Sequence, residues 1–224
     1  MDTHRQLGEK PPMPTNAKIC GLSTPETLDA AIGGGASHVG FVFFPPSPRN
    51  LSRDRAAQLA ARVPDHVGRV GVFVDPDDAL IESVLEAGQL DTLQLHGTAP
   101  ARAAAIRAKT GRQIWAAVAI RTRADLTEAA RFTGAADRIL YDAKTPPGAA
   151  LPGGMGVRFD WGLLDGFHHP LPWALSGGLD PANVRAAIAR TGATLVDVSS
   201  GAESAPGVKD VGRIAAFLAA VAQT

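Results

Sequence analysis

The chain has 224 residues, of which 45% are hydrophobic and 20% are charged, so it can bury one substantial core but is short for two independent domains. Its 22 Lys and Arg residues balance its 22 Asp and Glu residues, and this neutral balance argues against nucleic acid or a membrane surface as a partner. The single cysteine, Cys20, excludes an intramolecular disulfide and favours a reducing compartment, the cytoplasm.

The first sixteen residues, MDTHRQLGEKPPMPTN, are polar and contain no apolar stretch of the kind that a secretory signal needs. They predict a flexible N-terminal tail over 1–16, followed by one catalytic domain over 17–224. No uninterrupted apolar run approaches the ~20 residues that cross a bilayer, so no membrane span is expected.

Eight short apolar runs recur from Ala17 onward, each followed by a turn and a longer segment with helical spacing. This alternation is typical of a parallel sheet whose strands are joined by helices. The predicted strands are 17–20, 38–43, 69–74, 91–95, 113–119, 137–141, 172–176 and 194–199.

Helix starts between these runs are predicted from side-chain oxygens that can accept from the unpaired N–H groups of a first turn. Ser23, Asp75 and Asp180 fit this role because a proline follows each within two positions, and Glu26 would complete a capping box with Ser23. The predicted helices cover 25–33, 53–62, 77–87, 99–109, 123–131, 181–190 and 209–222.

The stretch between Tyr141 and Pro172 breaks this rhythm. Its LPGGMG segment is too rich in glycine for a helix, and only 160–164 could form a short one. We therefore expect a long functional loop and a stunted helix after strand 6.

Eight strands with intervening helices predict an α/β protein, a single (β/α)₈ TIM barrel at the compact end of its size range. The alternative is an open doubly wound sheet, but no G-x-G-x-x-G turn follows the first strand, where a dinucleotide-binding sheet would carry one. The barrel predicts that the chemistry gathers at the C-terminal ends of the strands.

Two candidate acid–base residues stand at such ends. Cys20 closes the first strand, where a nearby cation could make its thiol a base or nucleophile, although a lone buried cysteine is more often a small core hydrophobe. Asp142 follows the sixth strand, where a desolvated carboxyl could donate a proton near neutral pH, or where it could simply form a turn.

Glycine-rich turns follow the seventh and eighth strands. Their backbone N–H groups could converge without obstruction from side chains, and this position in a barrel commonly binds phosphate. The alternative is that the glycines only permit tight turns. The candidate phosphate-binding residues are Gly177, Gly178, Ser200 and Gly201.

Arg49, in the rigid Ser-Pro-Arg segment after the second strand, could aim its guanidinium at a substrate carboxylate or could be a solvated loop arginine. His96 ends the fourth strand and could contact a ligand or be a hydrogen-bonded rim residue. The histidines and the one cysteine show no metal-ligand spacing, and no G-x-S-x-G elbow is present. No metal or cofactor is expected, and the residues alone indicate acid–base chemistry on a phosphorylated sugar.

Several motifs occur together in one order along the chain: KICG at 18–21, SPR at 47–49, QLHG at 94–97, LYD at 140–142, SGGLD at 176–180 and DVSSG at 197–201. This combination closely resembles the phosphoribosylanthranilate isomerase family, from about residue 17 to the C-terminus. The resemblance implies a cofactor-free Amadori rearrangement in tryptophan biosynthesis. Its substrate would be N-(5-phospho-β-D-ribosyl)anthranilate and its product 1-(2-carboxyphenylamino)-1-deoxy-D-ribulose 5-phosphate.

The resemblance also implies roles for the candidate residues. Asp142 would be the general acid that protonates the ring oxygen, and Cys20 the general base that removes the C2′ proton. Arg49 would face the anthranilate carboxylate, and the two glycine turns would hold the phosphate. His96 is taken as a further substrate-binding candidate from its place at the end of the fourth strand. The enzyme could be a monomer or a homodimer.

The sequence departs from the family pattern in two places: GGMG replaces the frequent GGTG, so Met155 lacks a threonine hydroxyl, and SGGL replaces AGGL. One rival is a histidine-pathway or dual-substrate phosphoribosyl isomerase, which would use two carboxylates and a phosphate site in each half of the barrel. Another is a phosphate-binding barrel without activity, which would tolerate loss of Cys20 or Asp142.

Overall fold

The computed structural model describes residues 14–146, 148, 151 and 153–224. Eight parallel strands close into a barrel in chain order, with β1 hydrogen-bonded to both β2 and β8. The strands are β1 Asn16–Cys20, β2 His38–Phe43, β3 Gly68–Val74, β4 Thr92–His96, β5 Gln113–Ile120, β6 Arg138–Ala143, β7 Trp173–Leu175 and β8 Leu195–Val198.

Both faces of these strands are buried, which is why they are continuous apolar runs in the sequence. Alternate side chains point outward and pack against the helices, as Ile19 and Val196 do in the main core. The other set fills the barrel interior, where Val72, Trp115 and Leu140 form a separate apolar cluster. Residues two apart on one strand therefore share a face.

Six α-helices cover the outside of the barrel: α1 Pro25–Gly33, α2 Arg53–Ala60, α3 Asp78–Leu85, α4 Pro100–Thr110, α5 Val184–Thr191 and α6 Val211–Val221. The segment after β5 is a 3₁₀ helix over Arg123–Phe132, and the predicted stunted helix after β6 is a 3₁₀ turn over Trp161–Leu164. The (β/α)₈ barrel with a long loop after strand 6 is thus confirmed, and the open doubly wound sheet is wrong. No helix in these residues is both long and apolar enough to span a bilayer.

The predicted helix caps were displaced by one to three residues. Thr24, not Ser23, accepts the hydrogen bond from the Thr27 N–H. Asp75 has φ +40°, which a cap in extended conformation cannot have, and Asp77 caps α3 instead. Asp180 accepts from the N–H of Asn183, but in a turn that precedes α5.

A short antiparallel hairpin, β9 Glu203–Ala205 and β10 Val208–Lys209, lies between β8 and α6 and was not predicted. Two- and three-residue strands carry too little periodic pattern to be recognised in a sequence. Of the predicted tail over 1–16, residues 1–13 lie outside the described residues, and Asn16 is already the first residue of β1.

The position of the α1 cap can be tested by a pair of adjacent substitutions. Thr24→Ala removes the side chain that accepts from the first turn, so we expect the free energy of unfolding to fall by about 1 kcal/mol. Ser23→Ala should change it by less than ~0.5 kcal/mol, because Ser23 caps nothing. Urea denaturation measures both, and a larger loss for Ser23→Ala would contradict the observed cap.

Candidate active site

A cavity opens at the C-terminal ends of the barrel strands. The residues that line it include most of the candidates predicted at strand ends: Cys20, Arg49, His96, Asp142, Gly177, Gly178 and Ser200. Six separate strand ends therefore bring these side chains and turns to one place.

Cys20 is the last residue of β1 and lies in the barrel interior, 6% exposed, at the edge of the cavity. Gly40 on β2 gives it room, since an added Cβ there would lie 3.1 Å from the thiol sulfur. The cation that the sequence analysis required beside this thiol is Lys18, two residues earlier on the same face of β1. Burial outweighs it, however, and raises the pKa of Cys20 above its ordinary value, so the thiol is protonated in the free protein at neutral pH.

Asp142 lies within β6, 7% exposed, so the interpretation of this residue as a turn former is wrong. Its Oδ1 accepts from the Ala143 N–H at 2.8 Å. Burial, assisted by the negative charge of Asp197, raises the pKa of Asp142 to about 7, against the opposing effects of the Ala143 N–H and Lys18. A carboxyl of this kind is half protonated near neutral pH and can serve as an acid.

Arg49 is buried rather than solvated. Its Nε and Nη2 donate to the two carboxylate oxygens of Glu203 at 2.6 and 2.8 Å, and Nη2 also donates to the Gly154 carbonyl at 3.0 Å. This two-pronged pairing fixes the plane of the guanidinium. Arg49 therefore occupies one defined position at the edge of the cavity.

Glu203 has a second cationic partner, because the Lys209 ammonium donates to its Oε1 and to the Ser199 carbonyl. Burial acts to raise the pKa of Glu203, but the hydrogen bond from Arg49 and the charge of Lys209 hold it below its ordinary range. Two cations and one carboxylate leave this buried cluster with a net charge of +1. Neither Glu203 nor Lys209 was predicted as a site residue, because both lie on the unpredicted hairpin.

His96 is half-buried at the end of β4, and one of its ring nitrogens lies 2.9 Å from the side-chain amide of Gln94. Burial, with a contribution from the Lys18 charge, lowers the pKa of His96 to about 4, so the ring is neutral at pH 7. The Gln94 Oε1 is buried and accepts no hydrogen bond from any described residue. The His96 ring is thus hydrogen-bonded and part of the cavity wall, as a rim residue would be.

Two glycine-bearing segments, 153–157 and 176–178, and the serine pair 199–200 line the cavity. Gly177 and Gly178 have φ of +87° and +62°, a conformation that other residues rarely adopt. The 153–157 loop packs over Gly178, whose added Cβ would lie 2.8 and 2.9 Å from the Val157 and Gly156 carbonyl oxygens. Gly201 does not line the cavity, and an added Cβ there would lie 1.9 Å from the Leu179 carbonyl oxygen.

Lys18 and Asp197 are the site residues that the strand-end rule overlooked. Lys18 is fully buried, Asp197 is 4% exposed, and their Nζ and Oδ1 atoms are 2.8 Å apart. Each stands inside an apolar strand, two residues before the residue at which that strand was predicted to end, Cys20 or Ser199. A charge inside such a run is the sequence signal that could have found them, because residues two apart share the interior face.

No group of three or more metal-binding side chains is found within residues 14–146 and 153–224. Asp142 and Cys20 offer a carboxyl and a thiol that can transfer protons, with buried cations nearby.

Removal of Glu203 tests whether it fixes Arg49. Glu203→Ala leaves two buried cations without their shared carboxylate, so we expect the free energy of unfolding to fall by about 3–5 kcal/mol. Asp29→Ala is the matched control, since it breaks a pair with Arg62 whose side chains are about half exposed, and it should lower the free energy of unfolding far less than Glu203→Ala does. Equal losses in urea denaturation would contradict a structural role of the buried cluster.

Comparison with known proteins agrees with this geometry. A model of the N-(5′-phosphoribosyl)anthranilate (PRA) isomerase family matches residues 17–220. The N-(5′-phosphoribosyl)anthranilate isomerase of Zymomonas mobilis subsp. pomaceae is 54% identical over 211 residues, which are 93% of this chain and 99% of that protein.

Solved structures give the same result. Phosphoribosyl anthranilate isomerase from Thermotoga maritima has a TM-score of 0.83 and 35% identity over 94% of this chain and 100% of that one. A phosphoribosyl anthranilate isomerase in complex with reduced 1-(o-carboxyphenylamino)-1-deoxyribulose 5-phosphate has a TM-score of 0.81 and 33% identity over the same shares. The chain belongs to the N-(5′-phosphoribosyl)anthranilate isomerase family.

Proposed function

We propose that the chain is an isomerase of tryptophan biosynthesis that catalyses the Amadori rearrangement of N-(5-phospho-β-D-ribosyl)anthranilate to 1-(2-carboxyphenylamino)-1-deoxy-D-ribulose 5-phosphate. Family membership supports the reaction, and the observation that carries it is the carboxyl of Asp142, with a pKa of about 7, in the same cavity as the Cys20 thiol. An aldose-to-ketose shift needs one acid and one base on the same substrate, and this cavity contains a candidate for each.

Asp142 is the proposed acid. The ring oxygen of a furanose is weakly basic, so opening it requires a proton in the transition state, and a carboxyl that is half protonated near pH 7 can supply one. Bond cleavage at the anomeric carbon then gives the Schiff base. Bound substrate displaces water from the cavity and so favours the neutral carboxylic acid further.

Cys20 is the proposed base, which removes the C2′ proton of the Schiff base to give an enolamine that tautomerises to the ketone. The thiolate is the basic form, and Lys18 beneath it is the cation that favours this form. These are proton transfers only, so the mechanism requires no redox or group-carrying cofactor.

Arg49 is proposed to bind the anthranilate carboxylate. Glu203 occupies Nε and Nη2, which leaves the Nη1 edge for a ligand, and the net positive charge of the Arg49, Glu203 and Lys209 cluster favours an anion there. His96, at the end of β4, is proposed to contact the substrate as a neutral ring.

The phosphate is proposed to bind between the turns at Gly177, Gly178 and Ser200. These turns present backbone N–H groups where side chains are absent, and they follow β7 and β8, where barrels commonly bind phosphate. The loop over 153–157 is the third wall of this end of the cavity. Gly201 is proposed for the same site; it does not line the cavity itself, and an added Cβ there would lie 1.9 Å from the Leu179 carbonyl oxygen.

A cytoplasmic location is part of the proposal. A free cysteine that must act as a base needs a compartment in which it stays reduced, and the cytoplasm provides that.

The activity is tested by following the fluorescence of phosphoribosylanthranilate with purified protein. We expect the signal to fall without added metal or nucleotide. Asp142→Asn, which has no proton to transfer, and Cys20→Ser, whose hydroxyl is a far weaker base, should each lower kcat by roughly 10²–10⁴-fold while KM changes little. A persistent signal with wild-type protein would refute the activity, and a variant with only a raised KM would refute that residue's role.

The phosphate site is tested by two glycines with nearly the same backbone conformation. Gly178→Val places a side chain against the 153–157 loop, so we expect KM to rise about tenfold or more, equivalent to ~1.4 kcal/mol of binding. Gly166→Val is the control, because Gly166 has φ +63° but nothing within 4 Å of an added Cβ. If both variants have the same KM, the loss comes from backbone strain and the phosphate lies elsewhere.

A further inference from the structure

The ion pair of Lys18 and Asp197 has no place in the acid–base steps proposed above, although it is among the most deeply buried charge pairs described. The two residues are register partners across β1 and β8, the seam where the barrel closes. Lys18 Nζ donates to Asp197 Oδ1 at 2.8 Å, and Ser176 Oγ donates to Asp197 Oδ2 at 3.3 Å. Both carboxylate oxygens are therefore held in place.

The order of the strands orients this pair. Going around the barrel, Asp142 is on β6, Ser176 on β7, Asp197 on β8, and Lys18 and Cys20 on β1. The ammonium shares a strand face with the thiol, and an added Cβ at Gly40 would touch both Lys18 Cε, at 3.2 Å, and Cys20 Sγ. The Asp197 carboxylate lies on the side toward β7, where it accepts a hydrogen bond from Ser176. The next residue, Gly177, lies close to Asp142, since an added Cβ at Gly177 would be 3.0 Å from Asp142 Oδ1.

We propose that the buried Lys18–Asp197 pair is a fixed dipole, with its positive end toward Cys20 and its negative end toward Asp142, that favours transfer of a proton from the thiol to the carboxylate and so raises the share of molecules in the reactive form. Lys18 and Asp197 are positioning residues in this scheme, and the inference rests on the proposed roles of Cys20 and Asp142. The transfer is balanced: the proton leaves Sγ and joins a carboxylate oxygen of Asp142, and the net charge of the site is unchanged.

Such a device is needed because the free protein favours the opposite distribution. Asp142 ionises with a pKa of about 7, whereas burial raises the pKa of Cys20 above its ordinary value. When the two groups share one proton, the thiol therefore holds it in most molecules, and the form with a thiolate and a carboxylic acid is a minority. Each pKa unit by which the difference between the two pKa values narrows raises the population of this minority form about tenfold.

The two ends of the dipole act in the direction that the reaction needs. On Cys20, after burial, the favourable charge of Lys18 exceeds the unfavourable charge of Asp197, so the pair lowers the thiol pKa. On Asp142, the charge of Asp197 exceeds that of Lys18, so the pair raises the carboxyl pKa. Both effects bring the two pKa values together.

Other charged groups near the two residues do not replace this effect. Lys209 lowers the pKa of Cys20, but less than Lys18 does, and Arg49 has its charge matched by Glu203. His96, which neighbours Asp142 across Gly153, is neutral at pH 7 because burial lowers its pKa to about 4.

The test removes the dipole and leaves no unpaired buried charge. Lys18→Gln together with Asp197→Asn should lower kcat on the order of ten- to a hundredfold with little change in KM, because the reactive form becomes rarer. The profile of kcat/KM against pH should also widen: its acid limb, at about 7 in the wild type, moves down, and its alkaline limb, set by Cys20, moves up. Loss of activity with unmoved limbs would mean a merely structural role and would overturn the proposal.

A second pair, Lys18→Met with Asp197→Leu, removes the same charges with apolar side chains, which often replace buried ion pairs without loss of stability. If the Lys18→Gln, Asp197→Asn variant does not fold, this apolar double variant still tests the proposal. Arg62→Gln with Asp29→Asn is the control, since it neutralises an exposed pair on the outer helices and should leave both limbs in place.

A final measurement does not depend on turnover. Cys20 is the only cysteine, so the rate of alkylation by iodoacetamide against pH, followed by mass, gives the thiol pKa directly. We expect this pKa to rise in both double variants and not in the control. An unchanged thiol pKa would refute the dipole even if the isomerase activity is present, and normal titration without activity in the wild type would refute the proposed function instead.

Discussion

The contact on which the site depends is the ion pair between Lys18 and Asp197, because it stands where the first strand of the barrel meets the last. Both side chains lie inside an apolar barrel, where removing either partner alone leaves a buried charge and typically costs about 3–5 kcal/mol. The pair is therefore a constraint on the fold and on the electrostatics at once. Its field, as proposed above, favours the form in which Cys20 is a thiolate and Asp142 is protonated.

A second buried charge cluster orients a predicted site residue at the outer edge of the cavity. Glu203 on β9 engages both Arg49, from the loop after β2, and Lys209 on β10. The short hairpin that was absent from the predicted elements is thus the element that orients a predicted site residue. Charge pairing, rather than apolar packing, positions the functional groups on both sides of the cavity.

The strands and the rim residues were predictable because parallel barrel strands are buried on both faces and end in turns. The apolar runs therefore marked β1 to β8 within one or two residues, and Cys20, His96 and Asp142 followed from their places at or near the ends. Helix caps were less predictable, since Ser23 and Thr24 are both competent acceptors and only the path of the backbone selects Thr24.

What the sequence could not give were contacts between residues far apart in the chain. Arg49 and Glu203 are separated by 154 positions and Lys18 and Asp197 by 179, and no local pattern links them. The sequence analysis considered only the effect of a nearby cation on the Cys20 thiol. The burial that raises the pKa of this thiol depends on the closed barrel, which no local pattern reveals. Gly201 shows the same limit, because its packing against Leu179 is a tertiary contact that a glycine motif does not reveal.

The central claim is that Asp142 is a carboxylic acid poised near neutral pH, and its own titration tests that claim most directly. Carbon-13 NMR of protein labelled at the aspartate carboxyl groups, recorded against pH, should show one resonance that titrates near 7 and is missing from Asp142→Asn. If every aspartate titrates below about 5, as ordinary carboxyl groups do, Asp142 is fully ionised at neutral pH and the account of the acid is wrong.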